Sequence, residues 1–216
     1  VGAPADLIQC ISEEYASREA TNLMMSTCDA CISTGGAGRV KAAYSSGKPA
    51  FGVGQGNVQE IVDLGISDAE LERQATLCVA HRAKDNGVPC AGAQTVHIHA
   101  QQLEQWKGYM QEHGAFLIDK DEDIAALRAL VFPDCGTKLN RAVVGKFPYQ
   151  VGEMCGLNIP ETAKIMLVKN QAWGEAEVLC REILFPIVRY TVYEKFEDAV
   201  DRAVANLEVE GAGHTS

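Results

Sequence analysis

The sequence predicts an α/β protein with a largely parallel sheet. Short apolar, β-compatible runs alternate with longer segments of helical periodicity along the whole chain. Glycine-rich turns such as TGGAG and GVGQG sit beside the strands. With 216 residues and 47% hydrophobic content the chain can bury a sizeable core, and no internal repeat or low-complexity linker interrupts it.

Each element follows from its local pattern. An apolar run at residues 5–11 leads into SEEYASREATNLMM, where Ala16, Ala20, Leu23 and Met24 recur at helical spacing. CDACIST reads as a strand that runs into Gly35, Gly36 and Gly38, and RVKAAYSS as a helix ended by Lys48-Pro49. AFGVGQGN carries glycines at 52, 54 and 56, and VQEIVD reads as the next strand. DAELERQATLCVAHRAK places Leu71, Ala75, Cys78, Val79 and Arg82 at helical spacing and delivers the chain to an Asn86-Gly87 turn just before Cys90. TVHIHA alternates, AQQLEQWKGYMQEHG is a helix ending at Gly114, AFLI is a strand, and DKDEDIAALRALVF is a helix with an acidic start. VLCREILFPIVRYTVY closes the unit and FEDAVDRAVANLEVEG adds a last amphipathic helix. A domain junction is expected within residues 52–57, where glycines cluster.

Composition excludes several classes of partner. The net charge of −10, with no cluster of Lys and Arg, repels phosphate polymers, so no nucleic-acid partner is expected. No apolar run reaches the ~20 residues that span a bilayer, and VGAPADLIQC lacks a basic region followed by an apolar one, so neither a membrane nor a secretion signal is expected. Eight irregularly spaced cysteines without an export signal read as reduced thiols of a cytoplasmic protein. The chain starts without Met and ends on the glycine-rich EGAGHTS, and both ends read as cut.

Six local patterns carry chemistry or resemble sites that do. STGGAG at residues 33–38 follows a strand and opens a helix, so it is either a pyrophosphate-facing turn or a tight βα connection. GVGQG lacks the spacing of a dinucleotide fingerprint and reads as strand with close backbone approach. Cys28 and Cys31 form a lone CxxC; on a strand their side chains would point to opposite faces, and they read as buried structural thiols. His97 and His99 share one strand face that reads as solvated, with no third ligand near in sequence, and the carboxylates of DKDED serve a helix start; no metal site is expected. Cys90 stands out. Gly87 and Pro89 fix a bend before it, Ala91, Gly92 and Ala93 leave room for a planar ligand, and a thiol there would need a lowered pKa or a base to act as nucleophile.

Taken together, TGGAGRVKAAYSSGKPAFGVGQGN, DNGVPCAGAQ, EILFP and EGAGHTS resemble consecutive blocks of the CoA-acylating aldehyde dehydrogenases, over nearly the whole chain. The resemblance implies an aldehyde dehydrogenase-like α/β fold, with residues 1–57 as the end of a Rossmann-like NAD(P)-binding domain and residues 58–216 as the catalytic thiol domain. It implies that Cys90 is the nucleophile and that Thr34, Gly35 and Gly36 meet the cofactor phosphates. The Gly52-Val53 backbone would lie by the carboxamide, and Glu182 would hold ribose hydroxyls, although Leu184-Phe185 replaces the commoner aromatic-Gly before Pro186. NAD or NADP would be the cofactor, coenzyme A the co-substrate, a short-chain aldehyde the substrate, and the full-length protein a homo-oligomer. Hydrolytic relatives carry a glutamate where Gly52 stands, and without that base the thioacyl-enzyme would pass to the thiol of coenzyme A. Two alternatives are a catalytically silent fragment that only folds and associates, and a hydrolytic aldehyde dehydrogenase. Succinate semialdehyde or sulfoacetaldehyde would suit the closest-looking blocks, with Arg39, Arg141 or Arg189 as candidates to pair with an acidic tail. The oxyanion asparagine of the family has no match at Asn57 or Asn86.

Overall fold

A computed structural model describes residues 2–133, 136–212 and 214. Cys135, and Gly213, Thr215 and Ser216 of the EGAGHTS block, lie outside the described residues. The chain divides into two compact units, Val1–Gly54 and Gln55–Ser216.

The first unit pairs two short parallel strands, β1 (Cys31–Thr34) and β2 (Ala50–Val53), with Cys31 opposite Ala50 and Thr34 opposite Val53. Helix α1 (Arg18–Thr27) begins at Ser17, whose hydroxyl accepts the Ala20 N–H at 3.0 Å. The expected helical stretch is therefore shorter at its front, where Glu13–Tyr15 form a single 3-10 turn. Helix α2 (Ala37–Tyr44) connects the strands, and Met25, Cys31 and Ala43 form a small core.

The second unit is built on five parallel strands in the order β3-β4-β7-β6-β5: β3 (Gln59–Val62), β4 (Thr95–His99), β5 (Ala115–Ile118), β6 (Ile165–Lys169) and β7 (Ile187–Tyr193). Helices α3 (Asp68–Ala83) and α4 (Leu103–Glu112) pack on one face, where Leu71, Val79, Trp106 and Met110 meet Val96, Ile98, Ile165 and Leu167. On the other face α5 (Asp121–Val131) and α6 (Pro148–Cys155) bury Ile124, Leu127 and Val151 against Met166 and Val168. Along β6 the side chains thus alternate between two cores, as a doubly covered parallel strand requires. The last helix, α7 (Phe196–Val209), packs over β3, β4 and β7. A capping box starts α3, with the Glu70 N–H donating to Ser67 Oγ and the Ser67 N–H to Glu70 Oε2.

Two readings of the sequence are corrected. The histidine face of β4 is not solvated: His97 is fully buried and His99 nearly so, because β4 lies inside the sheet beneath α7. His97 Nε2 donates to Gln59 Oε1 at 3.1 Å, and the Thr191 hydroxyl donates to Nδ1 at 2.7 Å. The second correction is at Cys28. Helix α1 runs on to Thr27 and Cys28 caps it, so Cys28 and Cys31 are not on one strand with opposed side chains; their sulfurs face each other at 3.2 Å.

Candidate active site

In the first unit the strand-to-helix turn brings Thr34, Gly35 and Gly36 to the C-terminal end of β1, with Gly36 at the N-cap of α2. The Gly35 N–H donates to the Val53 carbonyl at 3.1 Å, so Gly52 and Val53 on β2 lie beside that turn. Five of the candidate cofactor residues therefore gather at the carboxyl ends of two adjacent parallel strands, where open α/β sheets bind their ligands. Ser33 Oγ, one residue before the turn, is buried with no partner among the described residues. Gly52 is held closely from the side of α2: a Cβ there would come 2.6 Å from Val40 Cγ1 and 2.9 Å from Tyr44 Cε2. The Gly52 N–H also donates to the Tyr44 hydroxyl at 3.1 Å.

In the second unit, α3 ends at Ala83 and three successive residues turn left-handed, Asp85, Asn86 and Gly87, with φ of 46°, 51° and 67°. This is the bend expected before Cys90. It is pinned twice, by Asn86 Nδ2 donating to the Gly145 carbonyl at 3.0 Å and by Gly87 lying against the main chain of Phe185 and Pro186. The chain then places Cys90 half-buried, as a free thiol, before entering β4. The Cys90 carbonyl lies 2.5 Å from a Cβ built on Gly56, and the Gly56 N–H donates to Glu182 Oε1 at 2.9 Å. Cys90 and Glu182, separated by three strands and three helices, thus flank one glycine. Burial raises the Glu182 carboxyl above its ordinary range, opposed by its bond from Gly56.

The segment that carries Glu182 is fastened by groups that had no local signal in the sequence. Arg82 and Arg189 are fully buried, and neither has a carboxylate in ion-pair distance among the described residues. Arg82 donates to the carbonyls of Ile183, Phe185 (3.0 Å) and Ile187 (2.9 Å). Arg189 donates to Gln94 Oε1 at 2.5 Å and to the Arg181 carbonyl at 3.0 Å. Gln94, four residues beyond Cys90, exchanges hydrogen bonds with the main chain of Ile183 at 3.2 Å each way. Burial, with the other guanidinium adjacent, lowers Arg82 to about 9, and burial lowers Arg189 to about 10, so both stay charged at neutral pH. Arg189 is committed to this lattice and is unavailable to a substrate tail; Arg141 is exposed, and the Arg39 side chain lies over Gly35.

The C-terminal stretch returns to the same place. Asn57 Nδ2 faces the carbonyls of Cys180 (2.7 Å), Asn206 and Glu210 (3.1 Å each), and Glu210 Oε2 accepts the Glu182 N–H at 2.6 Å. These bonds fasten Asn57 within the second unit. The His214 ring lies 3.1 Å from a Cβ built on Gly56, which adds an imidazole to the surroundings of Cys90 and Glu182 that the sequence reading did not single out. Among the described residues no group of three or more His, Cys, Asp or Glu side chains could hold a metal ion, and no helix is long and apolar enough to cross a membrane.

No family model matches the chain. Named relatives do. The succinate-semialdehyde dehydrogenase (acetylating) of Clostridium kluyveri is 40% identical over 216 residues, covering all of this chain and 46% of that protein. The aldehyde-alcohol dehydrogenase of Clostridium acetobutylicum is 35% identical over 215 residues, 24% of its length. The chain thus spans about half the length of the first relative and about a quarter of the second. Among solved structures, an acetylating aldehyde dehydrogenase from Geobacillus thermoglucosidasius superposes with a TM-score of 0.87 at 32% identity, over 99% of this chain and 46% of that one. A propionaldehyde dehydrogenase of Rhodopseudomonas palustris with bound CoA and an acylated cysteine gives 0.77 at 28%, over 91% and 43%. An engineered glycolyl-CoA reductase with bound NADP+ gives 0.77 at 27%, over 90% and 42%. In sequence and in fold, the chain belongs to the acylating aldehyde dehydrogenase family.

Proposed function

We propose that the protein carrying these residues is a CoA-acylating aldehyde dehydrogenase that oxidises a short-chain aldehyde to its acyl-CoA, reversibly, through a thioester on Cys90. The observation that carries the reading is the half-buried free thiol of Cys90, presented three residues after a left-handed turn, with its carbonyl beside Gly56, whose N–H holds the Glu182 carboxylate. The acylated cysteine in the Rhodopseudomonas palustris enzyme supports it.

Residues 1–57 act as part of the nucleotide-binding domain and residues 58–216 as the thiol domain. Thr34, Gly35 and Gly36 receive the phosphates of NAD or NADP at the α2 N-terminus, beside Gly52 and Val53; the unpartnered Ser33 hydroxyl suits a polar ligand at this end of the strands. Glu182 accepts ribose hydroxyls. When bound, the nucleotide supplies a hydride acceptor. The Cys90 thiolate adds to the aldehyde carbon and, after hydride loss, holds the acyl group as a thioester. The His214 imidazole, which lies beside Gly56 as the Cys90 carbonyl does, takes the thiol proton. Gly52 has no side chain to activate water, and Val40 and Tyr44 fill the space where one would start, so the acyl group waits for the thiol of coenzyme A. The names of the relatives favour a short aldehyde with an acidic tail. The enzyme is cytoplasmic and assembles as a homo-oligomer.

The test is intact-mass spectrometry of the full-length protein after exposure to aldehyde and oxidised nucleotide without coenzyme A. A lasting acyl adduct that maps to Cys90, is discharged by coenzyme A and is absent in Cys90→Ser is the expected result. An adduct on another residue, or NAD(P)H formation indifferent to coenzyme A, overturns the reading.

A further inference from the structure

The thiols of Cys28 and Cys31 lie outside everything assigned above. Their sulfurs are 3.2 Å apart, and both approach the Met25 carbonyl, at 3.6 Å from Cys28 and 3.5 Å from Cys31. The geometry comes from two elements meeting: Cys28 closes α1 with its N–H on the Met24 carbonyl, while Cys31 opens β1 with its N–H on the Pro49 carbonyl at 2.8 Å. Asp29 and Ala30 form the only link between them, so the pair is held by a helix end and a strand start rather than by chance rotamers. Cys28 is half-buried and reachable, whereas Cys31 is 7% exposed and sits in the small core. That asymmetry is the arrangement of an attacking and a resolving thiol. No third ligand stands with them among the described residues, which leaves sulfur-sulfur bonding as the chemistry the pair can do.

We propose that Cys28 and Cys31 form a reversible dithiol-disulfide site in the first unit, which exchanges with low-molecular-weight disulfides. The Cys28 thiolate attacks one sulfur of the small disulfide, whose S–S bond breaks, and one small thiolate leaves and takes up a proton. Cys31, having lost its proton to solvent, attacks the Cys28 sulfur of the mixed disulfide and expels the second small thiolate. Two electrons pass from the protein dithiol to the small disulfide, giving two small thiols and one Cys28–Cys31 bond.

The surroundings set the direction of this exchange. A redox CxxC at a helix N-terminus gains thiolate stabilisation from the helix dipole, and this pair sits at the opposite, C-terminal end of α1. The hydrogen bond with Cys28 and burial raise the Cys31 thiol, against weaker opposition from Ser46 and Lys48. A Cys31 thiolate left without stabilisation makes the reduced form less favoured, so the disulfide, once made, resists reduction by a moderate thiol pool.

The test is peptide mapping of the intact native protein equilibrated with mixtures of reduced and oxidised glutathione, then quenched with an alkylating agent. Trypsin releases residues 19–39 as one peptide that contains Cys28 and Cys31 and no other cysteine. The expected result is that this peptide becomes lighter by two hydrogens and loses both alkyl labels as the oxidised fraction rises, and regains both labels after dithiothreitol. Cys31→Ser is expected to retain glutathione on Cys28. The proposal is overturned if the wild-type peptide stays doubly alkylated in excess oxidised glutathione, or carries a stable glutathione on Cys28 beside an alkylated Cys31. Neither cysteine belongs to the proposed catalytic set, so the outcome here is independent of the outcome at Cys90.

Discussion

Replacing Gly87 by alanine should separate the two halves of the thiol site with a single methyl group. At φ of 67° an alanine costs about 1–2 kcal/mol from the left-handed backbone alone. Its Cβ would also stand 2.4 Å from the carbonyl carbon of Phe185, 2.5 Å from its oxygen and 2.6 Å from Pro186 N. That is about 1 Å inside ordinary carbon contact of ~3.5 Å, and the opposing atoms are main chain that cannot rotate away. Overpacking of this kind costs about 1–3 kcal/mol. The sum, about 2–5 kcal/mol, is a large share of a domain's usual ~5–15 kcal/mol. Relief requires residues 185–186 to retreat from the turn before Cys90, and Glu182 lies on the same segment. Urea unfolding of the intact protein should therefore show the loss, and kcat/KM for acyl-CoA formation should fall at least tenfold in what remains folded. Gly156→Ala is the control: its φ is 78° and nothing lies within 4 Å of its Cβ, so it carries the backbone cost without the collision. If Gly87→Ala loses no more stability than Gly156→Ala, the close packing of the Cys90 turn on the Glu182 segment is refuted.

Three further outcomes are expected. Burial, with a smaller contribution from Arg202, lowers His97 to about 4 from an ordinary ~6.5, so the folded protein keeps the ring neutral while the unfolded chain protonates it. Stability from this group is complete above pH ~6.5 and is lost as pH falls toward 4, by about 3 kcal/mol, and paired urea titrations at pH 7 and 4 should show that this slope disappears in His97→Gln. Glu182→Gln keeps an acceptor for the Gly56 N–H and should cost under ~1 kcal/mol in stability, yet raise KM for the nucleotide about tenfold with little change in kcat, as steady-state kinetics would show. Gly52→Glu should destabilise by about 1–3 kcal/mol through contact with Val40 and Tyr44, and product analysis should find no gain of free acid over acyl-CoA.

The long, strongly patterned elements were legible from residues alone. The acidic start of α5, the apolar stripe of α3 and the amphipathic α7 all lie where their periodicity put them. Strand β6 was not foreseen, because IMLVK is a continuous apolar run without alternation: buried on both faces, it carries no period to read. Helix α6 is eight residues long, too short for a repeat to declare itself. The histidines of β4 alternate with apolar residues as a half-exposed strand would, and only the presence of α7 above them makes that face an interior one. At the thiol site the bend before Cys90 was visible through Asn86, Gly87 and Pro89. Glu182 was visible only by family resemblance, and the Arg82-Gln94-Arg189 lattice not at all, since its bonds join residues about a hundred positions apart.

The three carbonyls gathered by Asn57 bear on how the chain is made. Its amide waits for partners 123, 149 and 153 residues downstream, at Cys180, Asn206 and Glu210. At synthesis rates of ~5–20 residues per second, the start of β3 spends on the order of ten seconds outside the ribosome before those acceptors exist. During that interval the GQGN stretch lacks all three of these acceptors, so its seat is completed only once residues 180–210 have been made.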